Sequence, residues 1–331
     1  MSPCLKKLNE QNMTIIYTLN NLPKGIRNPV VTIGNFDGVH WAHQAIFKKV
    51  IERARDIGGT SMVITFEPHP IKVMSPENAK PLITLLEQKR ELVSKQGIDI
   101  LLLIEFTLEF AAIPARDFVK DILVDKVGVK EIVVGHDYAF GRNRQGNIDL
   151  LEEMGRDFRF KVLEVGPVYI GKRLVSSTSI RNLIMEGNVC EARRLLGRNY
   201  QIRGEVVRGR KRGGTLVGYP TANLKLMDEL IPKEGVYIVT VDIGGLIYQG
   251  LTNIGYNPTF KDTALSVETH IFDLSADILG RKVKINFISR LRDEIPFAGV
   301  EELSLQVSQD IRQAREFFQK QKSRLCSGNS G

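Results

Sequence analysis

Val30-Val31-Thr32-Ile33-Gly34-Asn35-Phe36-Asp37-Gly38-Val39-His40-Trp41-Ala42-His43 begins as a short apolar run, breaks at Gly34 and crosses a polar, glycine-bearing turn. Beyond it, Ile46, Phe47, Val50, Ile51 and Ala54 recur at helical spacing. Strand, glycine turn and helix in that order point backbone N–H groups and the positive end of a helix dipole at an anion. His40 and His43 lie three apart and share one face of the first helical turn. A neutral imidazole can donate to phosphate without a fixed buried charge. The same residues also fit an ordinary strand-to-helix connection with two surface histidines, because short glycine motifs recur by chance.

Strands and helices alternate after this stretch. Residues 60–66, 98–106, 131–134 and 160–165 read as buried strands, with helices over 82–96, from Pro114 through Val127, and over 148–154. Such alternation gives an α/β, Rossmann-like unit with a parallel sheet covered on both faces. Its ligands sit beyond the carboxyl ends of the strands. Three polar motifs fall there: the histidine pair, Glu67-Pro68-His69-Pro70, and Gly135-His136-Asp137-Tyr138-Ala139-Phe140-Gly141. By itself, His69 between two prolines reads equally well as a turn residue. Ser176-Ser177-Thr178-Ser179-Ile180-Arg181 closes the half. Its hydroxyls can cap a helix over 180–185, and with Arg181 on the first turn they would form a polyphosphate clamp.

The pattern changes near residues 188–199. Strands over 200–207, 235–243, 247–254, 266–272 and 282–291 are separated by glycine and proline turns, with a hairpin at Asp242-Ile243-Gly244-Gly245. One long helix follows, with Val300, Leu303, Val307, Ile311, Ala314 and Phe318 on one stripe. Strands followed by one helix predict a small β-barrel with a capping C-terminal helix. The expected domains are 14–187 and 188–323, with 1–13 and 324–331 as flexible termini and Met13 as an alternative start. Thr221 and Asn223 alternate within Gly218-Tyr219-Pro220-Thr221-Ala222-Asn223, so in extended chain both oxygens face one side. Such hard oxygens suit Mg²⁺ beside phosphate and water, although a lone Pro-Thr also fits a simple turn. The basic run Arg208-Gly209-Arg210-Lys211-Arg212-Gly213-Gly214 is a solvated loop or an anion contact.

Composition bounds the class. The chain has 331 residues, 43% hydrophobic and 25% charged, as in a soluble globular protein of two domains. No apolar run is long enough to span a bilayer, and the N-terminus lacks a signal-peptide core. Cys4, Cys190 and Cys326 are far apart and odd in number, which reads as reduced and cytoplasmic. The net charge of +8 fits a nucleic-acid binder or an enzyme of phosphorylated ligands.

The stretch from Gly34 to His43 resembles the nucleotide-binding signature of nucleotidylyltransferases, in the form carried by bacterial FAD synthetases. That family has glycine where this chain has Ala42. Gly135 to Gly141 resembles its flavin-side motif, with His136 in place of an acidic residue. Ser177-Thr178 followed by Arg181 is similar to its second signature. Pro220-Thr221-Ala222-Asn223 resembles the signature of riboflavin kinases. So do Gly235-Val236-Tyr237, Asn253-Ile254-Gly255 with Asn257-Pro258-Thr259-Phe260, Val267-Glu268-Thr269-His270, and Arg290-Leu291-Arg292-Asp293-Glu294 before Phe297.

The resemblance implies a bifunctional riboflavin kinase and FMN adenylyltransferase, with riboflavin, FMN, FAD and ATP as its small-molecule partners and Mg²⁺ as cofactor. It implies catalytic roles for His40, His43, Arg181 and Glu268, the last as base. Nucleotide and phosphate contacts would come from Gly34, Asn35, Phe36, Asp37, Gly38, Ser177, Thr178, Gly209, Gly213, Gly235, Tyr237 and Asn253. Flavin contacts would come from Pro68, His69, Asp137, Tyr138, Phe140, Arg292 and Phe297, and metal ligands from Thr221 and Asn223. No membrane and no specific nucleic acid are expected, and self-association is left open. A nucleotidylyltransferase for another substrate would not need the Pro-Thr-Ala-Asn half. A nucleic-acid-binding module would want aromatic residues interleaved in the basic loop.

Overall fold

A computed structural model describes residues 13–208, 219–256 and 265–327. The chain divides into two units, Met1–Ser177 and Thr178–Gly331. Six parallel strands build the first: β1 (Thr14–Ile16), β2 (Pro29–Ile33), β3 (Thr60–Glu67), β4 (Ile100–Glu105), β5 (Glu131–Gly135) and β6 (Lys161–Val165), in the order β1-β4-β3-β2-β5-β6. Every residue of β2 is buried, as both faces of a covered parallel sheet require. Val31 and Ile33 join one core with Met62, Ile64, Leu102 and Ile132. Val30 faces the other way, into a core with Phe47, Val50, Val63, Leu101 and Val133. From β2 the chain runs through β3 to one side and reaches β5 on the other. The turn after β2 therefore lies at the switch point, where open α/β sheets bind ligands.

Helix Trp41–Asp56 follows that turn. Its Arg53 makes a bidentate pair of 2.7 and 2.8 Å with the buried Glu131 at the start of β5, tying helix to sheet. The helix expected over 82–96 is shorter, Leu86–Ser94, and the Ile83 and Thr84 N–H groups ahead of it donate to the Asp37 carboxylate. The helix expected over 148–154 continues to Phe158 and stops where Arg159 turns left-handed, φ 60°. A two-stranded ribbon, β7 (Tyr169–Ile170) with β8 (Arg173–Leu174), precedes helix Ser177–Met185. Ser177, Thr178 and Ser179 thus lie in the first turn of that helix, and Ser176 stands immediately ahead of it.

The second unit is a closed antiparallel barrel of β9 (Tyr200–Val207), β10 (Ala222–Lys225), β11 (Gly235–Ile243), β12 (Leu246–Tyr256), β13 (Leu265–Ile271) and β14 (Lys282–Arg292), in the order β10-β13-β12-β11-β14-β9. Alternation along each strand fills the interior with Tyr200, Ile202, Tyr237, Val239, Thr252, Val267, Thr269, Ile285 and Phe287. Thr252 and Thr269 satisfy each other there at 2.8 Å. The β11–β12 hairpin turns on Gly244 and Gly245, both with positive φ, as a two-residue turn requires. Helix Val300–Ser327 lays Ala314 and Phe318 on Val236, Ile238, Leu251, Phe272 and Ile288, which face outward from the barrel. It covers the barrel's flank.

Candidate active sites

In the first unit, Gly34 N–H extends the ladder to the Ile64 carbonyl at 3.1 Å, and the chain then turns sharply. Phe36 (φ 48°), Gly38 (φ 89°) and Val39 (φ 41°) are all left-handed. For Phe36 and Val39 this is strain of roughly 1–3 kcal/mol each, which the surroundings must impose. Asp37 imposes much of it. Its buried carboxylate accepts from Ile83 N–H (3.0 Å) and Thr84 N–H (3.0 Å), while Gly38 N–H donates to Thr84 Oγ1 at 3.0 Å. Asp37 therefore anchors the turn from beneath. Phe36 is buried too, edge-on to His43 at 5.2 Å and to Phe47 at 4.9 Å, so it forms the floor under the histidine. Among the described residues, the N–H groups of Asn35 and Phe36 donate to no protein acceptor.

His40 precedes the helix and His43 lies in its first turn, with their rings stacked at 3.6 Å and 19°. Ser177 Oγ donates to the Asp37 carbonyl at 2.8 Å. It must then accept from His40 Nε2 at 3.2 Å, and that network assigns the Nε2–H form. Gly34, Asn35, Phe36, Asp37, Gly38, His40, His43 and Ser177 are thus brought together. Thr178 follows in the first turn of helix Ser177–Met185, and Arg181 lies one turn beyond Ser177.

Two other motifs end at strand termini. His69 Nδ1 accepts from Ile71 N–H at 3.3 Å and caps the short helix after Pro68. Tyr138 stacks on Phe140 at 5.5 Å and 19°. Among the described residues the buried Tyr138 hydroxyl has no hydrogen-bond partner, and that burial pushes its titration up. Phe140 is held by a bridge to Gly146, where any Cβ would meet its ring at 2.6 Å. Asp137 is exposed.

In the barrel, Asn223 pairs in register with Glu268, and Glu268 with Asn253. The neighbours Thr252, Ile254, Val267 and Thr269 point inward, so this three-residue row faces outward. Side chains directly opposite on adjacent strands have Cβ atoms roughly 4.5–5.5 Å apart. Thr221 stands just ahead of β10, where His270 Nδ1 donates to the Pro220 carbonyl at 2.9 Å. Tyr219 packs edge-on to His270 at 5.5 Å and meets Ser308 at 2.9 Å. Gly235 has φ 140° and no room for a Cβ, which would lie 2.6 Å from the Arg292 carbonyl.

Two of the expected ligand contacts are engaged elsewhere. Tyr237 is enclosed by the barrel, and its hydroxyl donates to the Lys233 carbonyl, so it supports the site through packing. Arg292 makes a bidentate pair with the buried Asp310, at 2.8 to 3.1 Å, and pins the end of β14 to the C-terminal helix. Phe297 is partly buried in the segment before that helix. Gly209, Gly213 and the stretch 257–260 lie outside the described residues.

The first unit and the barrel match two separate family models. FAD synthetase covers residues 23–179 and riboflavin kinase covers 196–318. A protein of Escherichia coli K12 described as a bifunctional riboflavin kinase/FMN adenylyltransferase is 35% identical over 308 residues, 92% of this chain and 98% of its own. The chain belongs to the bifunctional riboflavin kinase/FMN adenylyltransferase family. Relatives of the same description from Buchnera aphidicola of Acyrthosiphon pisum (36% over 309 residues, 92% and 98% covered) and Listeria monocytogenes (40% over 296, 88% and 93% covered) agree. A solved structure described as a macrolide-efflux protein from Streptococcus pneumoniae superposes with a TM-score of 0.82 at 32% identity, covering 91% of this chain and 98% of that one. Among the described residues no helix is long and apolar enough to cross a membrane.

Motif reading missed some residues of the adenylyltransferase half. Thr84 and Lys89, which hold the turn from the 82–94 segment, carry no nucleotide signature. Lys89 left one trace: it occupies an apolar position between Leu86 and Val93 on the inward stripe of its helix. His270 was visible only as part of the kinase motif, and its hold on Pro220 depends on β13 lying beside β10.

Proposed function

We propose that the two units catalyse consecutive steps, with residues 188–323 making FMN from riboflavin and ATP and residues 14–187 joining FMN to AMP from a second ATP. The observation that carries the kinase assignment is the Asn223–Glu268–Asn253 row, which sets a carboxylate beside oxygen and amide groups on the half-buried outer face of the barrel. The riboflavin terminal hydroxyl loses its proton to Glu268 as its oxygen attacks the γ-phosphorus and ADP leaves. Among the described residues no group of three or more His, Cys, Asp or Glu is placed to hold a metal. Thr221 and Asn223 instead offer neutral hard oxygens, a donor set that fits a Mg²⁺ completed by phosphate and water. When bound there, the ion would neutralise charge on the transferring phosphate.

For adenylyl transfer, an FMN phosphate oxygen attacks the α-phosphorus of ATP and pyrophosphate leaves. No covalent enzyme intermediate is needed, so positioning and charge stabilisation supply the rate. The strained turn, the helix start and the stacked histidines are the groups placed to do this. Arg181 keeps the phosphate role that the resemblance implies. Tyr138, Phe140 and the Pro68-His69 turn line the flavin side. We place the enzyme in the cytoplasm, with no nucleic-acid partner.

His43→Ala should lower FAD formation from FMN about ten- to a hundredfold, the loss of one charge-assisted hydrogen bond. FMN formation should continue at the wild-type rate, and equal loss of both would mean that the histidine supports folding. Asn223→Ala should raise the Mg²⁺ concentration needed for half-maximal FMN formation, read from a titration at fixed ATP. An unchanged requirement would remove Asn223 from the metal site.

A further inference from the structure

Lys89 is the buried lysine of the first unit among the described residues, only 3% exposed. An ammonium has three donors, yet that of Lys89 makes one hydrogen bond among the described residues, 2.8 Å to the Asn35 carbonyl. Thr65 Oγ1 reaches the same oxygen at 3.3 Å. A charge placed in the interior for one backbone oxygen is a costly arrangement unless that oxygen's orientation matters. The peptide that follows this carbonyl is planar and trans, so the Phe36 N–H points opposite to the Asn35 C=O. Fixing the carbonyl on Lys89 therefore turns the Phe36 N–H to the other side, where it meets no protein acceptor. It also accounts for a left-handed aromatic residue at φ 48°.

We propose that Lys89 is a positioning residue for adenylyl transfer, holding the Asn35–Phe36 peptide in the orientation that offers the Phe36 N–H to the nucleotide's phosphates. This rests on reading the Gly34–His43 stretch as the adenylylation site. Lys89 acts from beneath the turn and touches no substrate. Burial lowers its titration, and the carboxylates of Asp37 and Glu67, which face it from the turn and from the end of β3, oppose that shift. Deprotonation at rising pH removes the charge from the bond and loosens the turn.

The test uses Lys89→Met in the full chain, with riboflavin phosphorylation as the internal control. Methionine keeps the stem's length but leaves the buried Asp37 carboxylate without its neighbouring cation, so the first unit should lose some stability, and kcat is read on the folded variant. The expected result is a kcat for FMN adenylylation about 10–100-fold lower, with kinase activity not reduced. Wild-type adenylylation should lose rate below the ordinary lysine range near about 10.4 as pH rises, kinase activity should not, and the variant should lack that limb. A variant that adenylylates FMN at the wild-type kcat overturns the proposal. If Lys89→Met fails to fold, the wild-type profile decides: full adenylylation rate into the ordinary lysine range overturns it equally. His43→Ala separates the two readings. If it leaves adenylylation intact, the site assignment fails; if it reduces adenylylation and Lys89→Met does not, only the role of Lys89 fails.

Discussion

Glu268→Gln should lower kcat for FMN formation by about 10²–10⁴-fold while leaving nucleotide affinity nearly unchanged. Glutamine keeps the size and hydrogen-bonding reach of the side chain but cannot take a proton at neutral pH. The barrel should not notice the change. Glu268 faces outward between Asn223 and Asn253, and the residues on either side, Val267 and Thr269, supply the interior packing. Thr221 and Asn223 are untouched, so the metal and phosphate contacts proposed for them should persist. FAD formation from supplied FMN should proceed at the wild-type rate, because that chemistry belongs to the other unit. A variant with wild-type kcat for riboflavin would show that Glu268 is not the base.

Asp37→Ala should be the most damaging single change in the first unit. Two backbone donors, Ile83 N–H and Thr84 N–H, would lose their acceptor in a buried setting. At roughly 1–3 kcal/mol for each orphaned group, the expected loss is about 2–6 kcal/mol. The strained turn at Phe36 and Val39 would lose its main anchor, and adenylylation should fall with it. Calorimetry should show an early transition for the first unit and an unchanged one for the barrel, with riboflavin phosphorylation retained between them. Asp37→Asn, which keeps one acceptor oxygen, should fall between wild type and alanine. A wild-type melting curve for Asp37→Ala would mean that the carboxylate anchors nothing.

The resemblance to nucleotidylyltransferases implied a phosphate contact at Asp37, and local sequence gave no sign that its carboxylate also holds the turn. Its acceptors serve residues 46 and 47 positions away. The same bonds hold residues 83 and 84 just ahead of a helix that runs over Leu86–Ser94 rather than 82–96. Apolar periodicity correctly placed β2, the helix after it and the parallel sheet, because those features are written in neighbouring residues. It missed β1, whose three residues are too few to show a period. The barrel strands were legible from alternation and glycine turns, but their register was not. That Asn223 lies beside Glu268, and Glu268 beside Asn253, follows from pairings across strands far apart in the chain. Arg292 illustrates the same limit: its sequence context suggested a ligand contact, while its guanidinium is engaged by Asp310 on the C-terminal helix.

We propose that one chain holds two separable chemistries, with Glu268 serving the first and His43 the second. The decisive measurement follows the products from riboflavin and MgATP by chromatography for the wild type, Glu268→Gln and His43→Ala, each also supplied with FMN. The wild type should yield FMN and then FAD. His43→Ala should accumulate FMN, and Glu268→Gln should make almost no FMN from riboflavin yet convert supplied FMN to FAD. Loss of both activities together in either soluble, folded variant would contradict the account.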